Sequence, residues 1–112
     1  MSQITTHVLD TSLGKPAQGI AILLEQKTDA GWKKVSNGKT DNDGRIKSLV
    51  PDSEKIVPGV YRLSFETKEY FGRLGMKGFY PSVNIEFEIA DQSHYHVPLL
   101  LSPYGYSTYR GS

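Results

Sequence analysis

The chain has 112 residues, 13 Lys and Arg against 12 Asp and Glu for a net charge of +1, and no cysteine. That length suits one domain able to bury a core without covalent staples. The missing cysteines exclude disulfides, zinc knuckles and a cysteine nucleophile, and the near-neutral charge argues against nonspecific nucleic-acid binding or an anionic membrane surface. Hydrophobic content of 38% with 22% charged residues reads as globular, and 11 glycines with six prolines predict many short elements joined by turns.

In chain order, residues 4–9 are rich in Thr, Val and Ile and read as an opening strand. Residues 19–26 are nearly continuous apolar up to Glu25, which predicts a strand buried on much of both faces. A turn at Asp29-Ala30-Gly31 leads into a short strand over 32–35. The turn Asp41-Asn42-Asp43-Gly44 predicts a hairpin followed by a strand over 45–49. Residues 61–65 alternate Tyr61, Leu63 and Phe65 with polar positions and form another strand. Residues 67–75 read as a short helix, with Thr67 as cap, Gly75 as terminator and Tyr70, Phe71 and Leu74 as its apolar stripe. Alternation is cleanest over 83–89, where Val83, Ile85, Phe87 and Ile89 face inward. Tyr95, Val97, Leu99 and Leu101 mark a further strand, and 104–109 is a last β-prone run. Seven or eight short strands with regular turns predict an all-β sandwich in a single domain, residues 1–112.

No stretch approaches the roughly 18 apolar residues of a membrane span. Met1-Ser2-Gln3-Ile4 shows neither a basic region nor an apolar one, so the expectation is a cytoplasmic protein, with a periplasmic one after leader removal as the alternative.

Few residues carry chemistry. His94 and His96 are two apart on a strand and share a face, while Tyr95 and Val97 point into the core. His7 lies mid-strand with Thr5 and Leu9 on its side. Each histidine could be an isolated surface or core residue; together they could ligate zinc or act as acid and base near neutral pH. Arg45, after its Asp-Gly turn, suits an anionic or carbonyl-rich planar ligand, or is simply a solvated arginine. Asp41 to Gly44 is not a calcium loop, because Arg45 occupies the place of the third oxygen ligand and no bidentate Glu follows at the required distance. The stretch 102–112 is unusually aromatic for a chain end. Tyr104, Tyr106 and Tyr109 either cover the chain's own core or pack against another subunit. Nucleophile-elbow, phosphate-loop and dinucleotide templates all fail.

The stretch His94-Tyr95-His96-Val97-Pro98-Leu99-Leu100-Leu101-Ser102-Pro103, running into Tyr106-Ser107-Thr108-Tyr109-Arg110-Gly111-Ser112, closely resembles the C-terminal signature of the 5-hydroxyisourate hydrolases, the transthyretin-like enzymes of purine breakdown. His7-Val8-Leu9-Asp10 with Gly14-Lys15-Pro16-Ala17 is similar to that family's opening motif. Thr40-Asp41 with Asp43-Gly44-Arg45 resembles its middle motif, and Phe79-Tyr80-Pro81 with Phe87 its next segment. Transthyretin, the hormone carrier of the same fold, lacks the terminal Tyr-Arg-Gly-Ser. The resemblance implies a transthyretin-like sandwich of two four-stranded sheets with one short helix. It implies a homotetramer, a dimer of dimers, with active sites in a central channel built from facing subunits. The implied reaction is hydrolysis of 5-hydroxyisourate to 2-oxo-4-hydroxy-4-carboxy-5-ureidoimidazoline, with no cofactor; a carrier of a small ligand in the same channel is the alternative.

By the matching motifs, His7, Arg45, His96 and Ser112 would be catalytic, and His7, Arg45 and Tyr109 would bind substrate. Arg45 would fork onto the carbonyl edge, His7 and His96 would share proton transfer, Tyr109 would position substrate or water, and Ser112, with a terminal carboxylate, would orient a histidine or bind substrate. His94 would be a supporting residue. No resident metal is expected, with zinc left open as an inhibitory or adventitious ligand at His7 and His96.

Overall fold

The computed structural model describes residues 3–51 and 53–112; Met1 and Ser2, the start of the stretch read as lacking a leader, and Asp52 lie outside them. Among the described residues, eight strands and one helix follow in the order β1 (Ile4–Asp10), β2 (Lys15–Pro16), β3 (Ala21–Thr28), β4 (Gly31–Lys39), β5 (Gly59–Phe65), α1 (Thr67–Arg73), β6 (Val83–Ile89), β7 (Tyr95–Ser102) and β8 (Gly105–Thr108). They form two four-stranded sheets of order β2-β1-β7-β8 and β4-β3-β5-β6. β1 and β7 run parallel, and the other pairs are antiparallel.

The sandwich follows from alternation. In β1 every second residue, Ile4, Thr6, Val8 and Asp10, is buried, and in β7 Tyr95, Val97, Leu99 and Leu101 face the same core. The second sheet answers with Ile22, Leu24, Tyr61, Leu63, Phe65, Val83 and Ile89. One apolar cluster thus fills the space between the sheets, the arrangement that lets both hide their hydrophobic faces.

Several sequence expectations need correction. Residues 45–49 are not a strand; Arg45 makes one isolated bridge to His7 and the chain then turns. The cause is Asp41, whose carboxylate accepts the N–H groups of Asp43 and Arg45 at 2.9 and 3.1 Å while its own N–H donates to the Arg45 carbonyl, closing 41–45 on itself. Those backbone donors, Arg45 first, hold the Asp41 carboxyl below the usual carboxylate range. β3 is fully buried on one face only, through Ile22 and Leu24. The strand expected over 32–35 extends to Lys39, because pairing with β3 carries the polar residues Ser36 and Asn37. β2, two residues including a proline, left no pattern to read.

The helix is capped differently from expectation at its start. Glu66 is the N-cap, and Thr67 is instead buried in the first turn, its hydroxyl donating to the Tyr80 carbonyl at 3.3 Å. Gly75 ends the helix as expected: at φ +69° its N–H reaches Gly72 and the Met76 N–H reaches Phe71, a Schellman closure. Tyr70 and Phe71 are buried, but Leu74 is exposed.

Candidate active site

The outward face of the β2-β1-β7-β8 sheet collects the residues with chemistry. Because Ile4, Thr6 and Val8 point inward, Thr5 and His7 point outward; because Tyr95 and Val97 point inward, His96 points outward. The parallel register pairs Thr5 with His96 and His7 with Pro98. Arg45 bridges to His7 on the other side of β1, and Gly111 bridges to His96 beyond β7. Two rows result across the sheet: Arg45 and His7 with Pro98, then Thr5, His96 and Gly111. They are offset by two residues along the strands, roughly 7 Å. Continuing the antiparallel register of β7 and β8 to the His96–Gly111 bridge sets Tyr109 opposite Pro98, in the first row.

Arg45 is held in place by its neighbours. The Val8 N–H donates to the Gly44 carbonyl at 2.8 Å, docking the 41–45 turn on the edge of β1. Gly44 has φ +75°, and a Cβ there would collide with the Val8 carbonyl. Behind the turn, the buried Thr40 hydroxyl accepts from the Ile20 N–H at 2.9 Å and donates to the Ala17 carbonyl at 2.8 Å. The loop before β3 and the Arg45 turn are therefore locked together.

His96 is half-buried, and its Nδ1 is 2.8 Å from the Thr5 hydroxyl. Burial foremost, then the charges of Arg45, His94 and His7, push its imidazole below the ordinary histidine value, against the opposing effect of a hydrogen bond to the Thr5 backbone. The shift favours the neutral imidazole, the state a general base needs. His94 lies just before β7, and its Nε2 is also 2.8 Å from the Thr5 hydroxyl. The two imidazoles stack with centroids 6.3 Å apart and planes 17° apart.

The tail is tied to this face. Thr108 donates to the Pro98 carbonyl at 2.7 Å, the Gly111 N–H donates to the His96 carbonyl at 2.8 Å, and the Arg110 guanidinium sits 4.3 Å over the Tyr95 ring. Ser112 follows Gly111 and is exposed. Tyr104 and Tyr109 are 71% and 59% exposed, while Tyr106, 42% exposed, packs edge-on against Tyr80 with centroids 5.2 Å apart.

His7, Arg45 and His96 thus share one sheet face, and the register continues to Tyr109 at its edge, while Ser112 falls opposite Tyr95, whose side chain faces the core. Among the described residues, no three His, Asp or Glu side chains converge as a metal site. Thr5 escaped the sequence reading as a site residue, although alternation placed it on the face of His7. Gly111 escaped because a missing side chain carries no pattern. Among the described residues, no helix is long and apolar enough to cross a membrane.

The chain is similar to known proteins along nearly its whole length. The profile of the HIUase/Transthyretin family matches residues 4–111. A 5-hydroxyisourate hydrolase of Salmonella dublin is 51% identical over 110 residues, covering 97% of this chain and 80% of that protein. Among solved structures, transthyretin from Sparus aurata superposes with a TM-score of 0.92 at 32% identity, covering 99% of this chain and 97% of that one. Klebsiella pneumoniae 5-hydroxyisourate hydrolase does so at 0.85 and 35%, covering 97% and 92%. With the matched span, the paired four-stranded sheets and the polar face they carry, the chain belongs to the HIUase/Transthyretin family.

Proposed function

We propose that the protein is a 5-hydroxyisourate hydrolase, opening the ring to 2-oxo-4-hydroxy-4-carboxy-5-ureidoimidazoline in urate catabolism. The observation that carries this reading is the juxtaposition of Arg45, His7 and His96 on one sheet face, in a chain so similar to proteins named for that activity. A carrier for an apolar ligand would want apolar lining; a guanidinium and two imidazoles line this face instead.

The assigned roles follow from the chemistry. His96 accepts a proton from the attacking water as its oxygen bonds to the ring carbonyl carbon. The carbonyl electrons move onto oxygen, where the Arg45 fork stabilises the developing charge. The carbon–nitrogen bond then breaks with its electron pair on nitrogen, which takes up a proton from His96 or His7. Tyr109, in the row of His7, positions substrate or water, and Ser112 supplies a hydroxyl at the margin. No cofactor enters, because the ring carbonyl is already electrophilic.

The assembly we assign is a homotetramer, a dimer of dimers in which facing subunits close over this sheet face. Support comes from the exposed tyrosines of the tail and from β6 and β8, which end their sheets with unpaired edges in the single chain. Sedimentation velocity tests it: a species of four chains is expected, and a monomer at micromolar concentration would refute it.

The activity is tested by generating 5-hydroxyisourate from urate with urate oxidase and following its ultraviolet decay. Decay should accelerate in proportion to protein and return toward the spontaneous rate with His96→Ala. A folded wild-type protein that leaves the spontaneous rate unchanged would refute the reading.

A further inference from the structure

The Thr5 hydroxyl is shared by two imidazoles. Its Oγ1 lies 2.8 Å from His96 Nδ1 and 2.8 Å from His94 Nε2. A hydroxyl has one proton to donate and lone pairs to accept with, whereas each neutral imidazole has one protonated nitrogen and one bare one. The contacts on the two sides of Thr5 are coupled whenever its proton lies on either of them. If Thr5 donates to His96 Nδ1, the proton of neutral His96 sits on Nε2, and the nitrogen turned away from Thr5 has no lone pair for a proton from water. If Thr5 donates to His94 Nε2, it accepts from His96 Nδ1–H, and His96 Nε2 is bare. Which ring nitrogen carries the proton is set by the hydrogen bond the other one makes.

We propose that Thr5 and His94 are positioning residues that hold His96 in its Nδ1–H tautomer, so that Nε2 is free to take the proton of the attacking water. The inference rests on the hydrolase reading for its purpose, and on the His94–Thr5–His96 geometry for its substance. When the water O–H bond breaks, its proton goes to His96 Nε2 and the electron pair stays on the oxygen that bonds to carbon. The imidazolium so formed keeps its Nδ1–H on Thr5, and returning the Nε2 proton to the leaving nitrogen restores the starting tautomer. The stacking of His94 on His96, with planes 17° apart, keeps both rings aimed at the one oxygen. The other charged groups acting on His96 are Arg45 and His7, neither of which contacts Nδ1.

The test reads the tautomer and the rate separately. Nitrogen-15 spectra of histidine-labelled wild-type protein at pH 7.5 should show His96 protonated at Nδ1. Thr5→Val, which keeps the shape and strand propensity of the residue, should abolish that preference and lower kcat about tenfold or more, with KM within about twofold. Thr5→Ser should restore both, and His94→Phe, which keeps a stacking ring but removes the acceptor, should again abolish the preference. A wild-type His96 protonated at Nε2, or an unchanged kcat in Thr5→Val, overturns the proposal. An unchanged tautomer in His94→Phe removes His94 from it. A wild-type protein without ring-opening activity would refute the hydrolase reading, and the spectra would still decide whether Thr5 sets the tautomer.

Discussion

The Gly111 N–H donates to the His96 carbonyl at 2.8 Å, and a Cβ on Gly111 would stand 2.5 Å from Cδ2 of the same histidine's ring. The tail therefore grips the backbone of His96 and lies flat against its imidazole, and only a residue without a side chain can do both. Gly111→Ala must tilt the ring or lift the tail. Since a displacement of about 1 Å can cost 10²-fold in rate, kcat should fall by about one to two orders of magnitude. The fold should persist, because Gly111 takes no part in the core. Stopped-flow decay of 5-hydroxyisourate alongside thermal melting checks both halves.

Gly44 performs the equivalent service for Arg45. Its φ of +75° and its contact with the Val8 carbonyl leave no room for a methyl group. Gly44→Ala should cost about 1–2 kcal/mol in backbone strain alone and undock the turn from β1. Substrate binding and turnover should both weaken, more than the loss of stability explains. Urea titration beside steady-state kinetics separates the effects; an unchanged kcat/KM would show that Arg45 does not depend on this turn.

The pH dependence follows from His96. Burial and the neighbouring Arg45, His94 and His7 depress its imidazole, so the neutral base persists to lower pH than for a free histidine. The acid limb of kcat/KM assigned to His96 should lie below pH 6.5. Arg45→Gln removes one cause of the depression, and the His96 titration followed by NMR should move up. The stability linkage has a definite sign. Below about pH 6.5 the unfolded chain binds more protons at this site than the folded one, so stability falls as pH drops through that range.

A second buried cluster bears on stability rather than reaction. Tyr70 of α1 donates to Asp10 Oδ2 at 2.7 Å, and the other carboxylate oxygen accepts from the Ser12 N–H, the Ser12 hydroxyl and the Leu13 N–H. Burial alone would raise the Asp10 carboxyl, but these donors outweigh it and hold it below the usual value. Tyr70→Phe leaves Oδ2 unpaired inside the protein and should cost about 1–3 kcal/mol. The depressed carboxyl adds stability that is present above about pH 3.8 and is lost as pH falls through the lower folded value. Urea unfolding at pH 7 and pH 3 should show the variant's deficit shrinking in acid.

The sequence was most legible where local pattern and tertiary role coincide. Residues 83–89 alternate in composition and alternate in burial, and the strand boundaries match the observed β6. Pattern failed where long-range contact decides. Residues 45–49 look like a hairpin arm, yet Asp41 turns the chain back on itself and Arg45 is spent on a bridge to a strand 38 residues earlier. For the site, the histidines and Arg45 announced themselves by residue type. Thr5 and Gly111 did not, because one looks like any strand threonine and the other contributes through an absence.

The pairing of β1 with β7 has a kinetic meaning. Thr5 and His96 are 91 residues apart in sequence, and their contact closes a loop over most of the chain. Such a closure carries an entropy cost that is met before its contacts repay it, which places the fold among slowly forming, high-contact-order topologies. Intermediates that have already joined the antiparallel neighbours β3, β4, β5 and β6 would therefore still lack a site. Recovery of activity after dilution from denaturant would then time the joining of the two halves of the β1–β7 pair, independently of the gain in bulk strand signal.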